Sequence, residues 1–458
     1  MSFRSGARVH FIGIGGAGMS AIAKVLHERG VTVSGSDLKR SPMLTTLEAM
    51  GAAVTVGHSA ELVERADVVV RSSAIPDSNP ELSRADALGM TVMSRGEALA
   101  EILKDTRAVV VAGTHGKTTT TSMIVSILRR AEIDPTYLIG GGLNDAGTNA
   151  RSGRDDIAVA ESDESDGSFL LLTPAIAVIT NVEQDHVDYW GSFDEITGAF
   201  DRFMGAVRPG GTIVVPSIDD DLVERARSTG HSVARFGDGG DVWAEAEQLR
   251  SSGASFELCA GEARAGVALR VPGAHNVANA LAAAAACLQL GVSLDLVAGG
   301  LSDYRGVQRR WQIKGSARDV TVIDDYAHHP TEVRATLAAA RPGPWRRVLA
   351  VFQPHRYSRT AAFASEFGRA FDGADRVVVM DVYGAGETPV PGVTGKLVAD
   401  AICAHLPGRA VAYLPHRAEV VEYLMRAARP GDALLTLGAG DVTGLGDELL
   451  LRLGEPSR

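Results

Sequence analysis

The sequence predicts an α/β protein of about three domains built on mostly parallel sheets. At roughly 150 residues per domain, a chain of 458 residues has material for about three cores. Continuous runs rich in Val and Ile recur between helical stretches, as strands buried on both faces of a parallel sheet do. Two of the three series of runs open on a glycine-rich turn where a strand hands over to a helix. No fixed-period repeat is present, which excludes a solenoid.

Composition narrows the function classes. Hydrophobic residues are 45%, charged residues 22%, and Gly at 51 far exceeds Pro at 18, which argues against disorder, collagen and coiled coil. A net charge of -11 with a pI near 5.6 offers no general basic surface, so neither nucleic acid nor an anionic membrane is an expected partner. Cys259, Cys287 and Cys403 lack the paired spacing of a zinc site or disulfide framework and are expected to be buried thiols in a reducing compartment. Residues 1–6 lead directly into an apolar run with no export-signal pattern. The most apolar long window, residues 280–299, contains Gln289, Ser293 and Asp295 and falls short of a membrane span. A cytoplasmic protein, monomer or homodimer, is expected.

The first series has runs at 9–12, 31–33 and 68–70. The first run leads into Gly13-Ile14-Gly15-Gly16-Ala17-Gly18, followed by an amphipathic helix to Arg29 that Gly30 ends. Glycines let the backbone approach a pyrophosphate at a helix N-terminus, where free N–H groups and the dipole favour anions. Asp37 lies 19 residues past Gly18, where a dinucleotide-binding acidic residue would sit. Gly13, Gly15, Gly16, Gly18 and Asp37 thus define a diphosphate-shaped site. They do not name the nucleotide, and taken alone they suit an NAD-dependent oxidoreductase.

The second series opens at 109–111 and passes into Ala112-Gly113-Thr114-His115-Gly116-Lys117-Thr118-Thr119-Thr120 and a helix through Arg129. This is a P-loop in character: amides cradle phosphates, Lys117 neutralises β/γ oxygens and the Thr118 hydroxyl reaches Mg²⁺. It departs from the usual spacing, because Val111 holds the first glycine position and Gly113 precedes Gly116 by three. The run at 157–160 ends in Glu161-Ser162-Asp163-Glu164-Ser165-Asp166, and the run at 176–179 ends in Thr180-Asn181-Val182-Glu183-Gln184-Asp185-His186. Both present metal-binding groups at the carboxyl end of a parallel strand, where such sheets place ligands.

An Ala-rich helix opens near Gly273, with His275, Asn276 and Asn279 in its first turn, facing a nucleotide or, for Asn276, capping the helix. Arg309 and Arg310 suit a phosphate or a solvated face. The third series has runs at 320–323, 348–352, 377–380 and 433–437. Asp325, Tyr326 and His328 follow the first of these, and His355, Arg356 and Arg359 follow the second. Planar guanidinium groups pair carboxylates bidentately, so this set suits a substrate carboxylate.

Taken in order, these motifs resemble the ATP-dependent Mur ligases of peptidoglycan synthesis. The resemblance rests on the segments 13–20, 113–120, 161–166, 180–186, 273–280, 324–330 and 352–360, covers nearly the whole chain, and includes the shortened P-loop. It implies a Rossmann-like UDP-sugar domain at 1–106, a central ATPase domain at 107–314, and a Rossmann-like C-terminal domain at 315–458 that closes over the site. Gly13 to Gly18 would then bind a UDP diphosphate. Residues 112–119 with His275, Asn276, Asn279 and Arg310 would bind ATP. Thr118, Glu161 and His186 would hold Mg²⁺, and Asp325, Tyr326, His328, His355, Arg356 and Arg359 would take the amino-acid or muramyl carboxylate. The implied reaction joins L-alanine to the lactyl carboxylate of UDP-N-acetylmuramate through an acyl phosphate. Lys117 and Arg356 would offset charge, and His328 would accept or orient the amine proton. A ligase for a preformed murein tripeptide is the near alternative; an oxidoreductase or a nucleotide sensor leaves motifs unexplained.

Overall fold

The computed structural model describes residues 3–144, 147–185 and 187–454, the side chains of Val187 and Asp188 excepted. The chain forms two compact units: Met1–Glu245 with Leu258–Val267 and Ala278–Tyr304, and Ala246–Glu257 with Ala268–Val277 and Arg305–Arg458.

The first unit contains a five-stranded parallel sheet of Arg8–Ile12, Thr32–Asp37, Ala53–Val56, Val68–Arg71 and Thr91–Ser94, in the order third, second, first, fourth, fifth. Chain order reverses at Arg8–Ile12, which places the Gly13 loop at the switch point of a Rossmann-like sheet. A second sheet centres on Arg107–Ala112. Ile157–Glu161 and Thr136–Leu138 lie on one side, and Ile176–Ile179, Thr212–Pro216 and Ser232–Phe236 on the other, all parallel. From Ala108 to Ala112 every residue is buried, which is why this strand reads as an unbroken apolar run.

The strands Val242–Arg250, Gly253–Ala260 and Ala263–Leu269 extend this sheet and divide between the units. They were not legible in the sequence, because charged and polar residues such as Glu245, Glu247 and Arg250 occupy a largely exposed strand. Val242–Arg250 is exposed from Glu245 onward, so it lacks the apolar signature of its neighbours.

The second unit holds six strands in the order Gln312–Ala317, Val320–Asp325, Asp432–Leu437, Arg347–Phe352, Arg376–Val379 and Ala410–Tyr413. All pair in parallel except the first, an antiparallel edge. That edge joins its neighbour through Arg318 and Asp319, both at positive φ (49° and 59°), the backbone of a two-residue hairpin that usually selects Asn-Gly. Ala350, Phe352 and Leu435 pack with Phe367 and Phe371 on one face, and Leu349, Val351 and Leu434 pack with Leu445 and Leu449 on the other.

One expectation is corrected. Cys259 and Cys287 are buried, but Cys403 is exposed. It follows Ile402 on the helix Gly395–His405, whose buried face is Gly395, Val398, Ala399 and Ile402, and one further residue turns it about 100° toward solvent. Among the described residues, no helix is long and apolar enough to cross a membrane.

Candidate active site

The P-loop is shaped by its two glycines. Gly113 has φ +128° and Gly116 has φ +82°, and Gly116 sits at the N-terminus of the helix Lys117–Arg130. A Cβ on Gly113 would lie 2.9 Å from Asn181 O and overlap Thr180 Oγ1, while one on Gly116 would overlap Asn279 Oδ1. The segment after Ile176–Ile179 ties the loop down. Thr114 N donates to Asn181 O (3.1 Å), His115 N to Asn181 Oδ1 (2.9 Å), Thr180 Oγ1 to His115 O (2.5 Å) and Glu183 N to Thr114 Oγ1 (2.8 Å). Asn279 also accepts from Thr120 Oγ1 (3.3 Å), so the structure brings Asn279 to the loop as its motif predicts.

Lys117 Nζ donates to Gly113 O (2.6 Å), Thr114 O (3.2 Å) and Glu164 Oε2 (2.9 Å), and lies 3.9 Å from Asp163 Oδ1. Burial disfavours its charge, but Glu164, Asp163 and Glu161 outweigh that and raise its pKa above the usual lysine value. Glu164 is pushed up to about 7, first by burial and then by Asp163, with Lys117 opposing. Burial also raises Glu161, whose carboxyl bonds to the Thr118 hydroxyl and the Gly140 amide. Its Oε2 is buried without a hydrogen-bond partner. Three carboxylates thus face one ammonium, and an orphaned carboxylate oxygen stands beside a threonine hydroxyl. This hard-oxygen donor set fits Mg²⁺. His186, the third expected ligand, lies outside the described residues.

The Gly13 loop follows the same logic in the other sheet. Gly13 has φ +82°, Gly15 N donates to Asp37 Oδ2 (2.9 Å), and a Cβ on Gly15 would lie 2.9 Å from that oxygen. Asp37 therefore closes the loop. Gly16 starts the helix Ala17–Glu28, whose first turn has neither a side-chain cap nor an acidic residue, leaving it receptive to an anion. Gly18 faces Arg95, whose Nη1 would lie 3.2 Å from a Cβ there. Arg95 Nη2 donates to Asp166 Oδ2 (2.8 Å) and Ser168 Oγ (3.1 Å), joining this loop to the acidic loop of the second sheet. Sequence reasoning missed Arg95, because a single arginine opening a helix carries no motif.

In the second unit the two charged loops come together. Tyr326 lies under Arg309 and Arg310, 4.7 and 5.2 Å from its ring centroid. Arg310 reaches Glu332 at 3.2 Å, and His328 Nδ1 lies 2.9 Å from Tyr326 O and 3.1 Å from Glu332 Oε2. A carbonyl oxygen only accepts, so neutral His328 carries its proton on Nδ1 and presents Nε2 as an acceptor. Burial pushes His328 down to about 3 despite Glu332, and pushes His355 down to about 4 with help from Arg359 and Arg356. The rings of His328 and His355 meet edge to face at 5.7 Å, and Arg359 Nη1 lies 3.5 Å from His355 Nδ1. Asp325 is buried and its oxygens accept from Trp311 N (2.8 Å) and Ala327 N (2.9 Å), so it shapes the loop. His275 is exposed, and Asn276 donates to Pro272 O (2.7 Å) within the first turn of Ala274–Gln289, so it does not occupy the capping position. Glu332 was also missed, although its place three residues after His329 at a helix start is capping-box spacing: its Oε2 accepts from His328 N (3.0 Å) and His329 N (3.3 Å), and folding adds Arg310.

A Rossmann-type glycine turn, a P-loop with an acidic loop facing its lysine, and an arginine–histidine cluster on a third sheet are the parts of a nucleotide-dependent ligase of several domains. Family models match almost end to end: a Mur ligase family catalytic domain over residues 8–107, a Mur ligase middle domain over 111–287, and a Mur ligase glutamate ligase domain over 309–440. The chain belongs to the Mur ligase family. It is 49% identical to the UDP-N-acetylmuramate–L-alanine ligase of Rubrobacter xylanophilus, covering 97% of this chain and 100% of that one. It is 47% identical to the ligase of the same name from Saccharopolyspora erythraea, covering 98% and 94%. Among solved structures, the UDP-N-acetylmuramate–alanine ligase of Thermotoga maritima superposes with a TM-score of 0.82 at 30% identity over 97% of this chain and 98% of that one. A murein peptide ligase from Psychrobacter arcticus superposes with a TM-score of 0.73 at 26% identity, over 99% and 100%.

Proposed function

We infer that this chain is an ATP-dependent ligase that forms an amide between the lactyl carboxylate of UDP-N-acetylmuramate and the amine of L-alanine, releasing ADP and phosphate, in cytoplasmic synthesis of peptidoglycan precursors. The observation that carries this is identity of nearly half over essentially full length to ligases of that name.

A carboxylate is a poor electrophile, so ATP first phosphorylates it, a step in which two anions must approach each other; the unprotonated amine then attacks the acyl phosphate through a tetrahedral intermediate that expels phosphate. Lys117 leaves the loop carbonyls and Glu164 to meet the β/γ oxygens. Thr118 and Glu161, with His186, would hold Mg²⁺, which would neutralise phosphate charge when bound. The amides of residues 113–118 cradle the phosphates, and Asn279 buttresses the turn at Gly116. The first-turn amides of Ala17–Glu28 take the UDP diphosphate, with Asp37 fixing the loop. Arg356 and Arg359 pair with the carboxylate of the incoming amino acid. His328, neutral at physiological pH, offers Nε2 to orient the attacking amine; a conjugate acid near 3 makes it a positioner of that proton and a weak base.

The test is Mg²⁺-ATP-dependent phosphate release with UDP-N-acetylmuramate and, in turn, L-alanine, glycine, L-serine, D-glutamate or L-Ala-γ-D-Glu-meso-diaminopimelate. Release fastest with L-alanine is expected. Preference for the tripeptide would assign the chain to peptide recycling, and the absence of any substrate-dependent release would refute the ligase reading.

A further inference from the structure

The loop carrying Arg356 and Arg359 is clasped by a second loop, residues 381–387, that follows the strand Arg376–Val379. Tyr383 N donates to Pro354 O (2.9 Å) and Arg356 N donates to Tyr383 O (2.8 Å), a single parallel bridge between the loops. The Tyr383 ring stacks on the His355 imidazole, 11° from parallel with centroids 5.7 Å apart. Glu387 completes the clasp. Its Oε2 accepts from Tyr357 N (2.6 Å) and Ser358 N (3.1 Å), and its Oε1 accepts from Ser358 Oγ (2.6 Å).

These bonds have a specific task. The helix Tyr357–Ala362 starts at Arg356, whose φ of +71° is strained for a residue other than glycine and whose side chain makes no cap. The first two amides of that helix find their acceptor in Glu387, a remote carboxylate in the role a local Ser or Asp usually fills. Negative charge is favourable there because the helix N-terminus is the positive end of its dipole. Hydrogen bonds from Ser358 and Tyr357, with Arg356 nearby, hold Glu387 below the usual carboxylate range against the opposing effect of burial.

We propose that Glu387 is a positioning residue for the amino-acid substrate: by capping the helix that follows Arg356, it holds the strained backbone there and aims Arg356 and Arg359 at the substrate carboxylate. This rests on the assignment of those arginines to the L-alanine carboxylate. Four variants separate the two ideas, read as KM for each of the three substrates, kcat and thermal midpoint. Glu387→Ala is expected to raise KM for L-alanine about tenfold, leaving KM for ATP and UDP-N-acetylmuramate within about twofold. Glu387→Gln, which retains one carbonyl acceptor, recovers most of the loss, and Glu387→Asp, one methylene short, is intermediate and stands in if the alanine variant does not fold. Arg359→Ala reports on the underlying assignment. An unchanged KM for L-alanine in Arg359→Ala would refute the arginine assignment itself. A raised KM there with no change in Glu387→Ala, or an equal rise for all three substrates in Glu387→Ala, would overturn the positioning role.

Discussion

Replacing Gly113 with alanine tests the P-loop at its tightest point. The backbone there has φ +128°, a region that costs an L-residue on the order of 1–3 kcal/mol. The new methyl would lie 2.9 Å from Asn181 O and 3.0 Å from Thr180 N, and would overlap Thr180 Oγ1. Thr180 cannot rotate away freely, because its hydroxyl donates to His115 O at 2.5 Å; breaking that bond adds about 1 kcal/mol. The sum, about 2–4 kcal/mol, is relieved if the loop moves out of its phosphate-cradling shape. At about 1.4 kcal/mol per decade, kcat/KM for ATP falls roughly 30- to 1000-fold. UDP-N-acetylmuramate affinity, measured by calorimetry, stays near wild type because the Gly13 loop belongs to another sheet. A folded Gly113→Ala enzyme with kcat/KM for ATP within about threefold of wild type would refute the argument that this backbone admits only glycine.

Three further outcomes are expected. His328 and His355 protonate near 3 and 4 in the fold but near 6.5 when unfolded, so at these two sites the unfolded chain binds more protons and their contribution to stability is lost as pH drops below about 6.5, while Glu164 and Asp325, pushed up to about 7 and about 6, act in the opposite sense. Urea unfolding of wild type and His328→Asn at pH 7 and pH 5 isolates one of these contributions: the variant should lose less stability between the two pH values than wild type, and an identical pH dependence in both contradicts the burial argument. Asp324 is fully buried and accepts from Thr436 Oγ1 (2.6 Å) and Thr443 Oγ1 (2.7 Å) beside Arg309, so Asp324→Ala should cost about 3–5 kcal/mol in denaturant unfolding. A cost under about 1 kcal/mol would mean the cluster is not satisfied as drawn. Arg95→Ala and Asp166→Ala should each destabilise by about 1 kcal/mol and combine non-additively, since each removes the same link; strict additivity in the double variant excludes the coupling.

The residues whose structural placement was legible in sequence are those whose backbone or spacing signal is local. Gly13, Gly113 and Gly116 announce themselves because the left-handed or close-approach backbone they adopt is open to glycine alone, and a strand before them with a helix after them completes the signal. Glu161, Thr118 and Lys117 are readable because the ends of parallel strands gather ligands. The family motifs extend this to the arginine and histidine loops. Asp325 and Asn276 were singled out by side-chain type, and only the fold shows the local bonds they make, Asp325 to Trp311 N and Ala327 N and Asn276 to Pro272 O.

What tertiary structure alone decided is how distant charges meet. Glu387 lies 29 residues from Ser358, Asp166 lies 71 from Arg95, and Glu164 lies 47 from Lys117. No periodicity or spacing links such pairs, since a carboxylate reads as ordinary solvated charge until folding removes water and sets a donor against it. The same holds for the Arg318–Asp319 turn and for the charged strand Val242–Arg250, where sheet pairing overrode residue preference. The sequence by itself determined where the glycine turns and the acidic strand ends lie, because each depends on a few residues in one turn. The fold determined the protonation states, the orientation of the arginines and the clasp around them, because burial and long-range hydrogen bonds exist only once the chain has closed on itself.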